Sequence, residues 1–157
     1  MMYQLHKTQQ LYCDINVAWK FFSSPLNLSH ITPPDMNFIV LTHLPDETIY
    51  EGMIIDYKVS PLMGIPIKWQ TVIMQVKELN SFTDFQKRGP YKLWKHLHEF
   101  IPNERGVLMK DTVEYELPYG VIGKVAHSLI IYKKLQNIFD YRYQVLEKLF
   151  NTEKQKI

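Results

Sequence analysis

A long amphipathic stretch, residues 121–150, constrains the fold of this sequence more than any other feature. Its apolar side chains recur every three or four residues, which is the spacing of one helix face. These side chains are Ile122, Val125, Leu129, Tyr132, Leu135, Phe139, Tyr143, Leu146 and Phe150. A helix of 30 residues would be about 45 Å long, so its apolar stripe needs an equally broad surface to pack against.

A sheet can supply that surface, because the middle of the chain is rich in strand-like segments separated by turn signals. The predicted strands are 3–13, 38–41, 49–59, 65–79, 82–88, 91–101 and 106–116. Short connections, such as the one at Gly89-Pro90, favour antiparallel neighbours. Two short helices are predicted after the first strand. Asp14 can cap the first helix, and the second spans 26–31 and ends before Pro33 and Pro34.

Composition and charge exclude several classes of protein. Hydrophobic residues make up 46% of the chain, which is typical of a globular rather than a disordered protein. The net charge of +2 comes from scattered lysines and argues against a nucleic-acid partner. No apolar run approaches the roughly 20 residues of a membrane-spanning helix, so integral membrane association is not expected.

The sequence holds one cysteine, Cys13, which alone can form neither an internal disulfide nor a cysteine-based zinc site. A single free thiol is typical of a reducing compartment. Residues 1–10 are polar and lack the apolar core of a signal peptide. These observations predict a cytoplasmic protein.

Three motifs carry a family resemblance. They read FTDFQKRGPYKLWKHLHEF at 82–100, DTVEYELPYG at 111–120 and IFDYR at 138–142. Through them the chain resembles the START-like (SRPBCC) superfamily, in its polyketide cyclase / coenzyme Q-binding-protein branch. The resemblance implies one domain over residues 1–157 with an α+β helix-grip fold. In that fold a curled antiparallel sheet wraps around a long C-terminal helix, two short helices follow the first strand, and a cavity lies between sheet and helix.

Strand alternation predicts that Asp111 faces the interior. Residues two apart in a strand point to the same side, and the opposite side of 106–116 carries the charged set, which must face water. A buried carboxylate is costly unless it is paired, and a histidine on the adjacent strand is the cheapest partner. Such a histidine should have a raised pKa. The predicted polar cluster is His96, His98 and Asp111, joined by Asp84 or Gln86.

Three interpretations of this cluster stay open. It could be a hydrogen-bond network that stabilises the sheet, or the polar end of an apolar ligand pocket. It could also be catalytic, with a carboxylate that orients a histidine general base, and the candidates are then His96, His98 and Asp111. The same three residues could approximate a metal-binding set. The sequence lacks the helical histidine spacing of common metal motifs, however, so neither a metal nor a cofactor is expected.

The function that these observations favour is binding of a small hydrophobic or amphipathic molecule, used for transport or sequestration. The alternatives are a cyclase or dehydratase, and an interaction module whose filled core leaves no ligand-sized cavity. Phe85 and Leu129 are candidates for lining the cavity. The candidate ligand-binding residues are Trp69, Asp84, Gln86, Trp94, His96, His98, Asp111, Tyr115, Tyr132, Phe139 and Arg142.

Overall fold

A computed structural model describes residues 1–44, 48–61, 64–118 and 130–152. Within these ranges seven strands form one sheet in which all pairings are antiparallel, in the order β1-β7-β6-β5-β4-β3-β2. The strands are β1 (Met2–Leu11), β2 (Ile39–Val40), β3 (Ile54–Val59), β4 (Ile67–Lys77), β5 (Ser81–Arg88), β6 (Leu93–Asn103) and β7 (Gly106–Glu116). The chain order β2 to β7 is a meander, and β1 joins it beside β7.

The short helices follow β1, as predicted. Helix α1 (Ile15–Phe22) begins after Asp14, whose carboxylate accepts a hydrogen bond from the backbone N–H of Asn16 at 2.8 Å. A 3₁₀ helix at Pro25–Ile31 comes next. It ends at Ile31, before Pro33 and Pro34, as predicted. A further 3₁₀ turn that was not predicted begins at Pro34 and runs to Met36. Proline is tolerated in the first position of a helical turn, where its missing N–H would have no partner.

The predicted strand from 49 to 59 was too long. Gly52 has a φ of +82°, and its N–H bonds to the carbonyl oxygen of Ile73, so the chain turns there before β3 begins. A positive φ is outside the extended region and suits glycine, which has no Cβ. β4 also departs from regular geometry, because its register with β5 shifts between Met74 and Lys77.

Helix α2 (Tyr132–Phe150) is the described part of the predicted C-terminal helix, and it is about 28 Å long. The segment 119–129 lies outside the described ranges, and Leu129 lies there with it. In the part of the chain that the structure describes, neither α-helix has the length and apolar character needed to cross a bilayer.

The buried stripe of α2 differs from the predicted one at two tyrosines. Tyr132 is 48% exposed and Tyr143 is 45% exposed. Arg142 takes the place of Tyr143 in the stripe and is only 6% exposed. A buried carboxylate, Asp111, lies opposite Arg142 and balances its charge, whereas a tyrosine can leave its hydroxyl in water.

Two parts of the hydrophobic core meet α2 at its two ends. Near the C-terminal end, Leu146 belongs to a cluster with Trp19 and Phe22 of α1 and with Phe100 of β6. Nearer the N-terminal end, α2 contributes to a second cluster with residues of β1, β6 and β7. Its members are Leu5, Trp94, Val113, Tyr115, Leu135 and Phe139. The curled sheet and the helix that crosses it form the predicted helix-grip fold, and the space between them holds the candidate site.

Candidate ligand-binding site

A cavity of about 410 Å³ lies between the concave face of the sheet and α2, and the 3₁₀ helix Pro25–Ile31 contributes to its wall. Most of its lining is apolar. The aromatic members are Phe21, Phe22, Phe38, Tyr57, Trp69, Phe82, Tyr91, Trp94 and Phe139. Ligand pockets usually exceed about 300 Å³, so this cavity is large enough for a small molecule. The described residues therefore do not form the filled core that an interaction module would have.

One wall of the cavity is polar, and three neighbouring strands build it. Asp84 comes from β5, His96 and His98 come from β6, and Asp111 comes from β7. Asp84 lies directly opposite His96 in the ladder, and Asp111 lies directly opposite His98. Because β6 lies between β5 and β7, the two histidines have a carboxylate on each side.

Each imidazole ring spans the gap between the two carboxylates. His96 places Nε2 2.7 Å from Asp111 Oδ1 and Nδ1 3.5 Å from Asp84 Oδ2. His98 places Nε2 2.8 Å from Asp84 Oδ2 and Nδ1 3.0 Å from Asp111 Oδ1. The two ring centroids are 3.7 Å apart. The four side chains thus form a closed ring of alternating acids and imidazoles.

Arg142 brings a positive charge to this ring of side chains from α2. Its guanidinium lies 3.5 Å from Asp111 Oδ1, and its Cζ is 5.7 Å from the ring centroid of Phe22 and 5.8 Å from that of Phe139. Aromatic faces attract a cation, most strongly where water is excluded. Among the described residues, Arg142 Nε has no hydrogen-bond partner. The charge is therefore held mainly by Asp111 and by the two aromatic rings.

Burial and neighbouring charges act in opposite directions on the acids. Burial raises the pKa of Asp111, but Arg142 and the two histidines outweigh it and hold that pKa well below its usual range. The same balance gives Asp84 a lowered pKa, because His96, His98 and Arg142 outweigh its burial. Both carboxylates are therefore ionised at neutral pH.

The two histidines differ in the direction of their shifts. Burial lowers the pKa of His98, but contacts with Asp111 and Asp84 outweigh it, so its pKa is raised. Burial and the charge of His98 lower the pKa of His96 by more than the two acids raise it. The expectation of one histidine with a raised pKa therefore fits His98, whereas burial and the nearby charge of His98 lower the pKa of His96.

The two acids also differ in access to the cavity. Asp84 lines the cavity and has 22% of its side chain exposed, whereas Asp111 lies behind the histidines and has 8% exposed. Asp84, His96 and His98 also form a group whose potential ligand atoms all lie within 4.8 Å of one another, close enough to hold a metal ion. The metal-binding set considered from the sequence contains Asp111 in place of Asp84.

Seven of the eleven candidate ligand-binding residues line the cavity, and the remaining four do not. The seven are Trp69, Asp84, Trp94, His96, His98, Phe139 and Arg142. Of the others, Asp111 supports the histidines from behind, and Tyr115 is fully buried in the core beside Tyr3. Tyr132 is about half exposed and is not among the residues that line the cavity. Phe85 also lies off the cavity, because strand alternation places it on the face opposite Asp84.

Gln86 is the fourth residue off the cavity, and it closes the turn between β5 and β6. Its side-chain amide donates to the carbonyl oxygen of Tyr91 at 2.7 Å and accepts from the Tyr91 N–H at 3.3 Å. A Cβ on Gly89 would overlap the Gln86 amide, so a larger residue there would push that amide away from Tyr91. The Q-x-x-G-P part of the motif therefore forms a turn that the Gln86 side chain closes by hydrogen bonds.

Some lining residues, from the short helices and from α2, were not predicted from the sequence. Leu28 and Ile31 face the cavity from the 3₁₀ helix, and Lys134 does so from α2. Lys134 also forms an ion pair with Asp35 at 2.6 Å, which ties α2 to the 3₁₀ turn. For Leu28 and Ile31 there was a signal in the sequence, because apolar residues in a helix too short to be stable alone must pack against the rest of the protein. No sequence pattern distinguished Lys134 from its exposed neighbours.

Solved structures of other proteins are similar to this fold. No family model and no curated protein sequence matches the chain. Protein Ms6760 of Mycobacterium smegmatis has a similar structure, with a TM-score of 0.64 and 14% identity over 91% of this chain and 90% of that one. TTHA0849 of Thermus thermophilus has a TM-score of 0.63 and 16% identity over 94% and 95% of the two chains.

A third similar structure is an enzyme, a point mutant of norcoclaurine synthase from Thalictrum flavum in complex with a transition-state analogue. It has a TM-score of 0.62 and 15% identity over 94% of this chain and 96% of that one. Identities this low show a shared helix-grip fold and nothing about function, because one fold hosts many unrelated functions.

Proposed function

We propose that the protein binds a small hydrophobic or amphipathic molecule in the cavity between the sheet and α2. The observation that carries this proposal is an apolar cavity of about 410 Å³ with one polar wall. The apolar lining would take up the body of the ligand, since burial of apolar surface is favourable. The wall of Asp84, His96 and His98 would orient a polar group of the ligand, as a few polar side chains do in most pockets.

Asp84 indicates which polar group the ligand would carry. It is the carboxylate that faces the cavity, and of its two oxygens Oδ2 is engaged by the histidines. An ionised carboxylate only accepts hydrogen bonds. The wall is therefore suited to a ligand with a hydrogen-bond donor, such as a hydroxyl or an amine, at one end of an apolar body.

Filling the cavity should prevent binding. Leu28 and Leu26 belong to the same 3₁₀ helix, but Leu28 lines the cavity and Leu26 is exposed. We expect Leu28→Trp to weaken binding of the apolar dye anilinonaphthalene sulfonate at least about tenfold, or ~1.4 kcal/mol, because the indole occupies the space. Leu26→Trp should bind the dye as the unaltered protein does. Dye titration by fluorescence measures both.

Native mass spectrometry of the gently purified protein should in addition detect a bound small molecule that Leu28→Trp retains less well. Equal dye affinity in the two variants, with no molecule retained by the unaltered protein, would refute the binding proposal.

A cyclase or dehydratase is the second candidate, and one observation favours it. Asp84 and His98 are hydrogen-bonded at 2.8 Å and both line the cavity, so a proton donor and acceptor are within reach of a bound molecule. If the pair is catalytic, a molecule recovered from the cavity should be converted on incubation with the protein. Asp84→Asn should stop this conversion while the molecule still binds. A molecule that is unchanged after incubation contradicts the catalytic alternative.

We also propose that the chain belongs to the polyketide cyclase / coenzyme Q-binding-protein branch and acts in the cytoplasm. The 82–100 motif supports the branch, because its polar residues form the polar wall of the cavity and close the neighbouring turn. The lone thiol of Cys13 supports the location. Burial and Asp14 raise the pKa of that thiol, so it stays protonated at neutral pH.

A further inference from the structure

We infer that Asp84, His96 and His98 form a binding site for one divalent transition-metal ion, such as Zn²⁺ or Fe²⁺, on the polar wall of the cavity. The three side chains supply two imidazole nitrogens and one carboxylate oxygen. This donor set suits zinc and, where further positions stay open, non-haem iron. The inference concerns the metal alone and does not depend on the ligand proposed above.

The geometry of the three donors comes close to what one ion requires. Asp84 Oδ2 lies 2.8 Å from His98 Nε2 and 3.5 Å from His96 Nδ1. Ligand atoms bound tetrahedrally at about 2.0 to 2.1 Å from one ion are separated by about 3.3 Å. The two measured separations lie on either side of this value. The three donor atoms all lie within 4.8 Å of one another. The most distant pair would therefore have to move closer by at most about 1.5 Å to reach a separation of about 3.3 Å.

A second carboxylate already holds both rings from behind. The nitrogens that face away from Asp84, His96 Nε2 and His98 Nδ1, lie 2.7 Å and 3.0 Å from Asp111 Oδ1. Histidines that bind metals generally donate their other N–H to a carboxylate or carbonyl, which fixes the tautomer and the ring orientation. Asp111 performs this role for His96 through a hydrogen bond and lies 3.0 Å from the corresponding nitrogen of His98, and Arg142 balances its charge.

The unsatisfied nitrogen His98 Nδ1 is an independent indication that an ion belongs at the opposite ring nitrogen, Nε2. It is buried and has no hydrogen bond among the described residues, although Asp111 Oδ1 is only 3.0 Å away. The ring instead directs Nε2 to Asp84 in a hydrogen bond of 2.8 Å. An ion between Nε2 and the carboxylate would replace that hydrogen bond and release the ring to turn its Nδ1–H towards Asp111.

The charge and the open side of the site indicate what the ion would bind next. With two carboxylates, Arg142, neutral histidines and a divalent ion, the wall has a net charge of +1. Asp84, His96 and His98 all face the cavity, so a fourth coordination position would point into it. An anionic oxygen, from hydroxide or from a ligand, would complete the site. Catalytic zinc sites likewise keep one position for water or substrate.

The metal itself can test this inference. We would treat the purified protein with EDTA, remove the chelator, and titrate with Co²⁺ alone while recording its visible absorption and the heat of binding. The expected result is one Co²⁺ per chain. Asp84→Asn preserves the shape of the side chain but removes a ligand charge, and it should weaken binding at least about 100-fold. Asp111→Asn should weaken binding by about 10- to 100-fold, because the Asp111 carboxylate positions the two imidazole rings but does not bind the metal itself.

Two exposed residues provide matched controls. His6→Gln and Asp140→Asn remove the same functional groups at exposed positions outside the cluster, and both should bind Co²⁺ as the unaltered protein does. Circular dichroism establishes that each variant is folded. Two results would overturn the inference: no absorption change in the unaltered protein, or the same Co²⁺ affinity in Asp84→Asn. Dye binding that persists in the EDTA-treated protein would leave the ligand proposal standing in either case.

Discussion

Asp111→Asn should lower the free energy of unfolding by about 3 to 5 kcal/mol, which is the usual cost of removing one partner from a buried ion pair. The carboxylate of Asp111 is the common contact of His96, His98 and Arg142, and all four side chains are buried. Asparagine keeps the shape but deprives the guanidinium of the carboxylate that contacts it. Urea unfolding at neutral pH, followed by far-ultraviolet circular dichroism, measures the loss.

The same strand offers a matched control. Glu114 is on the outward face of β7, where it pairs with Lys95 at 3.6 Å. Glu114→Gln should change the free energy of unfolding by less than about 1 kcal/mol, because exposed ion pairs contribute little. Adding Arg142→Met to Asp111→Asn should restore part of the lost stability by removing the unbalanced charge. A loss below about 1 kcal/mol in Asp111→Asn would contradict the network described here.

The Asp111→Asn variant also separates the interpretations of the cluster. If the folded variant binds the dye and any retained molecule as before, the cluster stabilises the sheet and does no more. If binding weakens as well, the wall orients the ligand, as proposed.

Gly106→Ala should destabilise the protein by at least about 3 kcal/mol. Gly106 begins β7 at the turn from β6 and has a φ of +125°, a region that essentially only glycine occupies. A Cβ there would overlap the carbonyl oxygen of Leu11 and approach the backbone of Cys13 to 3.0 Å. Because both obstacles are backbone atoms, the end of β1 would have to move. The midpoint of urea unfolding reports the change.

A second glycine separates backbone conformation from steric overlap. Gly64 also has a positive φ, +70°, but a Cβ there would have no atom within 4 Å. Gly64→Ala should therefore cost only about 1 to 2 kcal/mol, from the conformation alone. If the two variants lose equal stability, the close approach of β1 to the β6–β7 turn does not matter and the prediction fails.

Strand periodicity predicted the interior position of Asp111, His96 and His98 because side chains alternate with a period of two residues, and one face of β7 must face water. The same rule did not decide between Asp84 and Phe85. Both could have faced the cavity, and only the pairing of Asp84 with His96 across the ladder resolves that choice. Gln86 shares the parity of Asp84, but it lies near the end of β5, where the turn takes up its side chain.

The position of Arg142 shows why the helix was harder to predict than the strands. An apolar stripe of spacing three and four is compatible with either Arg142 or Tyr143 on the inner face of α2. The outcome depends on Asp111, which is 31 positions away along the chain and makes the inner position favourable for a cation. Such a preference belongs to the tertiary structure and has no local signature. The resemblance to the START-like superfamily supplied what local rules could not, the cavity between sheet and helix.

The alternation of acid, imidazole and acid across β5, β6 and β7 also has a consequence for how the strands find their alignment. Sliding β6 by one residue would turn both imidazoles to the outer face and leave Asp84 and Asp111 without their histidine partners. An apolar core penalises such a slip only through packing, whereas here a misaligned strand would also take the histidines from two carboxylates, which would keep only Arg142 near them. The cluster therefore discriminates against wrong strand alignments during folding, whether or not it ever touches a ligand.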